Sequence, residues 1–235
     1  MRVAVVGIDG AGKSSTTLRA IAQLASLGRG TIAKPGRDAF VQRGEHRTYV
    51  AANVSNRFER TFQRVDATRN RALIGATRLA FIAYQGWLEP HLVREYRPAV
   101  LIATRCMIVD PAIYSAVYSP ALSRISLEQR LKAFARLARL PFRDLYVFLR
   151  TPAEVAMERI HARIAQLPGA ELYPRERWLH LHEQESILRR IGDAFPEALE
   201  AARKLAEFKV VEIETERMTE SEVADRIANE VRACA

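Results

Sequence analysis

Residues 2–18 read Arg2-Val-Ala-Val-Val-Gly7-Ile-Asp9-Gly10-Ala11-Gly12-Lys13-Ser14-Ser15-Thr-Thr-Leu18. From Gly7 to Ser14 they fit the phosphate-binding pattern G-x-x-x-x-G-K-[ST] without a mismatch. The apolar run 2–6 before it suits a buried parallel strand. The run 15–27 after it carries Leu18, Ile21, Ala22, Leu24 and Ala25 on helical spacing and stops at Gly28. Strand, glycine loop and helix, in that order, are the context the pattern requires. Glycines at 10 and 12 let the backbone close on phosphate oxygens with no Cβ in the way. The amides of residues 9–15 face the anion, and the helix dipole favours it. Lys13 reaches the β- and γ-phosphates, and the Ser14 hydroxyl suits Mg²⁺. The expected ligands are ATP and Mg²⁺.

Beyond the loop, strand-like and helical stretches alternate. Strands are predicted at 30–33, 106–110, 145–149 and 208–213, in addition to 2–6. Helices are predicted near 79–100, 126–140, 152–164, 178–192, 196–206 and 221–232. Ser126 and Thr151 are the expected caps of two of them. Five strands alternating with helices predict an α/β, three-layer fold of the P-loop NTPase kind, with a five-stranded parallel sheet flanked by helices. Ligands of such sheets bind beyond the carboxyl ends of the strands, which gathers Lys34–Arg37, Asp110 and Arg150 near the loop. The chain reads as a single domain over 1–235, with no repeat and no linker. Residues 38–78 are polar and arginine-rich and are expected to be mobile; a basic, helical lid is expected near 160–177.

Composition narrows the function classes. No stretch of about 18 apolar residues exists, so no membrane span is expected. The two cysteines, Cys106 and Cys234, read as a buried small hydrophobe and a tail thiol, which fits a reducing, cytoplasmic setting. The net charge is +9, and all but five of the 36 basic residues are arginine. Such a charge suits a small polyanionic substrate as well as nucleic acid, and no aromatic-basic interleaving points to the latter. Nucleic acid is therefore not the expected partner.

Several segments together resemble the thymidylate kinase family within the nucleoside and nucleoside-monophosphate kinases. The family's loop carries an acid in G-x-[DE]-G-x-G-K-[ST], matched by Asp9. Lys34-Pro35-Gly36-Arg37 is similar to its proline turn after the second strand. Asp110 and Ser115 keep the spacing of its D-R-[YH]-x-x-S segment, and 146–160 is similar to L-x-x-x-P-E-x-[AC]-x-x-R-[IL]. The resemblance implies that Asp9 faces the acceptor's sugar hydroxyl and that Arg37 clamps its phosphate. It implies that Asp110 sits near Mg²⁺, and that Arg159 and Arg163, with Arg175 and Arg177, close over the transferring phosphoryl. Catalytic roles thus fall to Lys13, Arg37, Asp110, Arg159 and Arg163, and metal contact to Ser14 and Asp110. The implied partner is a small-molecule phosphate acceptor, a nucleoside monophosphate, and the implied assembly is a homodimer.

The sequence departs from that family at three places. Pro111 stands where the family has an arginine after the strand-three acid. No arginine aligns with the family's base-reading residue near Tyr84-Gln85-Gly86-Trp87, where Gln85 could hydrogen-bond a base. Residues 113–118 are similar to a segment of the deoxynucleoside kinases, yet Lys34 occupies the place of the glutamate base those enzymes need. An ionised phosphate acceptor needs no such base. A nucleoside or other metabolite kinase, a nucleotide switch and a nucleic-acid-linked ATPase stay open as other readings.

Overall fold

The computed structural model describes residues 1–24, 30–34, 39–44, 46–50, 57, 60–62, 64, 65, 68, 70–118, 120–166 and 184–234. Its strands are β1 (Arg2–Val6), β2 (Thr31–Lys34), β3 (Ala39–Arg43), β4 (His46–Val50), β5 (Val100–Ala103), β6 (Leu145–Arg150) and β7 (Lys209–Glu214). Its helices are α1 (Lys13–Leu24), α2 (Arg71–Tyr96), α3 (Val109–Tyr118), α4 (Pro120–Ser123), α5 (Leu127–Ala138), α6 (Ala153–Ala165), α7 (Glu185–Arg203) and α8 (Glu220–Cys234).

The strands form one sheet in the order β4-β3-β2-β5-β1-β6-β7. It has seven strands, not the five expected. β2, β5, β1, β6 and β7 run parallel, and β3 and β4 extend the β2 edge antiparallel. The added hairpin lies in the segment read as mobile. Its β3 face hides Ala39, Phe40 and Val41, but β4 is arginine- and histidine-bearing and exposed, so polarity concealed the strand pattern. Helices α1 and α8 pack on each other, and α2, α3, α5 and α7 form a second contiguous group. Sheet and two helical layers make the expected three-layer α/β arrangement.

Other boundaries moved for physical reasons. The third parallel strand is Val100–Ala103, not 106–110. Residues 106–109 are just as buried, but 106–108 form the turn into α3 and Val109 begins it. Burial of two successive apolar runs gives no period that separates strand from turn. Helix α2 starts at Arg71, where the Asn70 side chain accepts from the N–H groups of Ala72 and Leu73. Helix α7 is continuous through Pro196, so the two helices expected at 178–192 and 196–206 are one from Glu185 onward. Ser126 caps α5 in a reciprocal box with Gln129, as the sequence predicts. The cap residue of α6 is Pro152 rather than Thr151. No described helix is long and apolar enough to cross a membrane.

Candidate active site

The glycine loop runs from β1 into α1 at the carboxyl edge of the sheet. Gly10 has φ +87°, and a Cβ there would lie 2.4 Å from the Ala156 carbonyl oxygen. A side chain is barred both by conformation and by the close passage of α6. α1 begins at Lys13, so the N–H groups of its first turn point into the loop. Lys13 Nζ donates to the carbonyl oxygens of Gly7 (2.8 Å) and Ile8 (2.7 Å) and lies 3.6 Å from Asp9 Oδ1. Burial pulls the Lys13 ammonium below its ordinary pKa, and the nearby Asp9 and Asp110 oppose this. Ser15 Oγ donates to the Gly12 carbonyl at 3.1 Å, whereas the Ser14 side chain is exposed. The two neighbouring hydroxyls are thus divided between fixing the loop and facing outward.

Asp110 stands across from Lys13 in the first turn of α3. Its Oδ2 accepts the Cys106 N–H at 3.1 Å, and its buried Oδ1 has no partner among the described residues. Burial pushes its pKa up to about 7, against the pull of Lys13 and then Arg105. An orphaned buried carboxylate oxygen facing the loop is a fit partner for a hydrated cation or its water. Among the described residues no cluster of three or more His, Cys, Asp or Glu could itself hold a metal. A Mg²⁺ held by nucleotide phosphates, Ser14 and Asp110 fits that sparse donor set.

Arg105 went unnoticed in the sequence. With the strand ending at Ala103, it is the second residue beyond the sheet edge, and it is exposed. Its charge reaches both Lys13 and Asp110. Placing the strand end at residue 110 rather than at Ala103 hid its position at the sheet edge. Thr104, just before it, donates from N–H and Oγ1 to the Lys34 carbonyl at 3.1 and 3.3 Å. That tie fixes the ends of β2 and β5 side by side.

Lys34 does not face outward from the end of β2. It is 3% exposed, and its ammonium lies 3.1 Å from Glu89 Oε2. Arg143 grips the same carboxylate with both guanidinium nitrogens, Nη2 to Oε2 at 2.9 Å and Nη1 to Oε1. Burial alone would raise the Glu89 pKa, but Arg143 and Lys34 outweigh it and hold it at about 2. One turn before Glu89, Gln85 is 1% exposed, and neither atom of its amide has a partner among the described residues.

The remaining expected residues divide. Arg159 is turned to the end of β7, where Nη2 donates to the Thr215 carbonyl at 2.8 Å. Arg163, one turn on, is exposed. Arg37, Arg175 and Arg177 lie outside the described residues, as does the expected lid from 167 on. A cavity of about 600 Å³ opens elsewhere, between α2 and α5, lined by Gly86, Trp87, Pro90, His91, Arg136 and Arg139. It holds none of the residues above.

No family model matches the chain, and no curated protein matches it in sequence. Solved structures do. The chain is similar to deoxyadenosine kinase from M. mycoides with products dCMP and a flexible dCDP bound, at TM-score 0.60 and 13% identity. It is similar to the same enzyme with bound dATP (0.59, 16%) and with bound dCTP (0.54, 15%). Each match covers 99% of this chain and 100% of the other. At these identities the likeness is one of fold: the described residues share the α/β architecture of those P-loop kinase structures.

Proposed function

We propose that this chain is a P-loop kinase that transfers the γ-phosphoryl of ATP to a nucleoside monophosphate, in the manner of the thymidylate kinases. The terminal P–O bond of ATP breaks, a P–O bond to an acceptor phosphate oxygen forms, and ADP leaves. The observation that carries this reading is the ion cluster at the end of β2. A neutral hydroxyl acceptor needs a base there. Lys34 is a cation, and among the described residues the carboxylate beside it is Glu89, which is bound by Lys34 and Arg143 together. An acceptor that arrives as an ionised phosphate needs positioning and charge neutralisation instead.

Lys13 and the amides of Gly10, Ala11, Gly12 and Ser15 hold the donor phosphates. Ser14 and Asp110 support Mg²⁺, which when bound offsets charge on those phosphates. Arg105, with Arg37, holds the acceptor phosphate, where a guanidinium fork suits two oxygens. Arg163 offsets charge that develops on the transferring group. Asp9 faces the acceptor's sugar. Gln85, whose donor and acceptor are both unspent, hydrogen-bonds the edge of the base.

ADP release, measured with ATP and Mg²⁺ over a panel of nucleosides and their monophosphates, tests the reading. Monophosphates should turn over faster than the matching nucleosides, and Arg105→Ala should raise KM for the monophosphate more than KM for ATP. Faster turnover of free nucleosides would establish the second reading, a nucleoside kinase. The likeness to deoxyadenosine kinase supports that alternative, and so does Asp110, whose pKa of about 7 would let it accept a hydroxyl proton.

A further inference from the structure

Cys106 lies in the turn between β5 and α3 and is buried. Three hydrogen bonds join it to the first turn of α3. Its Sγ accepts the Val109 N–H at 3.4 Å, and its carbonyl accepts the Asp110 N–H at 3.3 Å. Its own N–H donates to Asp110 Oδ2 at 3.1 Å. A cap side chain that accepts from the third residue on, while a side chain of that turn takes the N–H of the cap, is a reciprocal capping arrangement. Serine or threonine ordinarily stands at such a cap. Here a thiol does, and the carboxylate that answers it is Asp110.

The sulfur is also held from the sheet. Tyr146 Oη, on β6, lies 3.7 Å from Cys106 Sγ and accepts the Arg143 N–H at 3.3 Å. A cysteine that only filled the core would need neither bond. The consequence falls on Asp110. A carboxylate with no such tie can turn about both of its side-chain torsions. With Oδ2 on the Cys106 amide its orientation is fixed, and Oδ1 is the oxygen left without a partner among the described residues. We infer that Cys106 is a positioning residue for the metal site: its cap on α3 sets the Asp110 carboxylate so that Oδ1 stays free for the hydrated cation. This rests on the assignment of Asp110 to the Mg²⁺ shell. Cys106 itself touches neither nucleotide nor metal. It acts through the carboxylate, as the hydrogen-bond partners of metal-binding side chains do.

Mn²⁺ binding to the full chain in the presence of ADP, read by electron paramagnetic resonance, tests this without turnover. Cys106→Val keeps a buried apolar side chain of similar size and removes the acceptor. Cys106→Ser keeps an acceptor of the kind preferred at caps. Mn²⁺ should bind roughly tenfold more weakly to Cys106→Val, and Cys106→Ser should regain the wild-type affinity. ADP affinity measured without metal should be the same in all three proteins. Wild-type Mn²⁺ affinity in Cys106→Val, or a loss in Cys106→Ser as large as in Cys106→Val, overturns the positioning role. An equal loss of metal-free ADP affinity in Cys106→Val means general damage to the loop and overturns it too. Asp110→Asn in the same assay separates this failure from that of the metal assignment. It weakens Mn²⁺ binding if Asp110 belongs to the shell, whatever Cys106 does.

Discussion

Lys34 Nζ lies 3.1 Å from Glu89 Oε2, with both groups buried and Arg143 on the same carboxylate. Two cations on one anion leave a net positive charge inside the protein. Each member depends on the others, because an unpaired buried charge is far costlier than a pair.

Glu89→Gln removes the anion and strands both cations. A loss of ~3–5 kcal/mol in stability is expected. The pH dependence follows from the sign of the shift. The Glu89 pKa is held at about 2, below its ordinary 4.5, so its contribution is complete above pH 4.5 and is lost as pH falls toward 2. Urea unfolding of the wild type between those pH values should show this decline. In Glu89→Gln the decline should be shallower, and an unchanged profile would remove the assignment.

Asp110 behaves in the opposite way. Burial raises its pKa to about 7 from 3.8, so the folded protein holds that proton where the unfolded chain has released it. Stability then falls as pH rises from 3.8 to about 7, and the penalty is constant above. Asp110→Asn keeps an acceptor for the Cys106 N–H and should be more stable than wild type at pH 8. Phosphoryl transfer by the variant should drop sharply, and equal activity would exclude Asp110 from the metal shell.

Lys13→Ala should cut turnover by roughly 10²–10³ or more, since one preorganised donor to the transferring phosphates is removed. The fold should persist, because the ammonium contacts carbonyls of its own loop. Steady-state ADP release and circular dichroism on the same sample separate the two effects.

Two glycines of α2 should respond with opposite signs to the same substitution. A Cβ on Gly86 would stand 1.8 Å from the Ala138 carbonyl oxygen, so Gly86→Ala must push α2 and α5 apart. A cost of about 1–3 kcal/mol or more is expected. Gly75 has nothing within 4 Å, and Gly75→Ala should stabilise by about 0.5–1 kcal/mol through helix propensity. Thermal unfolding of both variants decides whether the helix crossing is as tight as the geometry states.

What could be read from the sequence was what is local along the chain. The β1–loop–α1 unit is contiguous, so its pattern carried strand, turn and helix. The Ser126 cap was legible for the same reason. The Lys34–Glu89–Arg143 cluster was not, because its members lie more than fifty residues apart and each alone reads as a surface charge. Arg105 was obscured by two buried apolar runs on either side of it, which left the strand end ambiguous. The β3–β4 hairpin hid behind arginine-rich composition, since an exposed edge strand needs little apolar surface.

The place of β1 in the sheet has a consequence in time. It is hydrogen-bonded by β5 on one side and β6 on the other, whereas β4 pairs on one side only. Amide protons of Val3–Val6 should exchange with solvent only when the whole molecule opens, and those of β4 through local fraying. The glycine loop therefore hangs from a strand expected to be among the last of the protein to exchange.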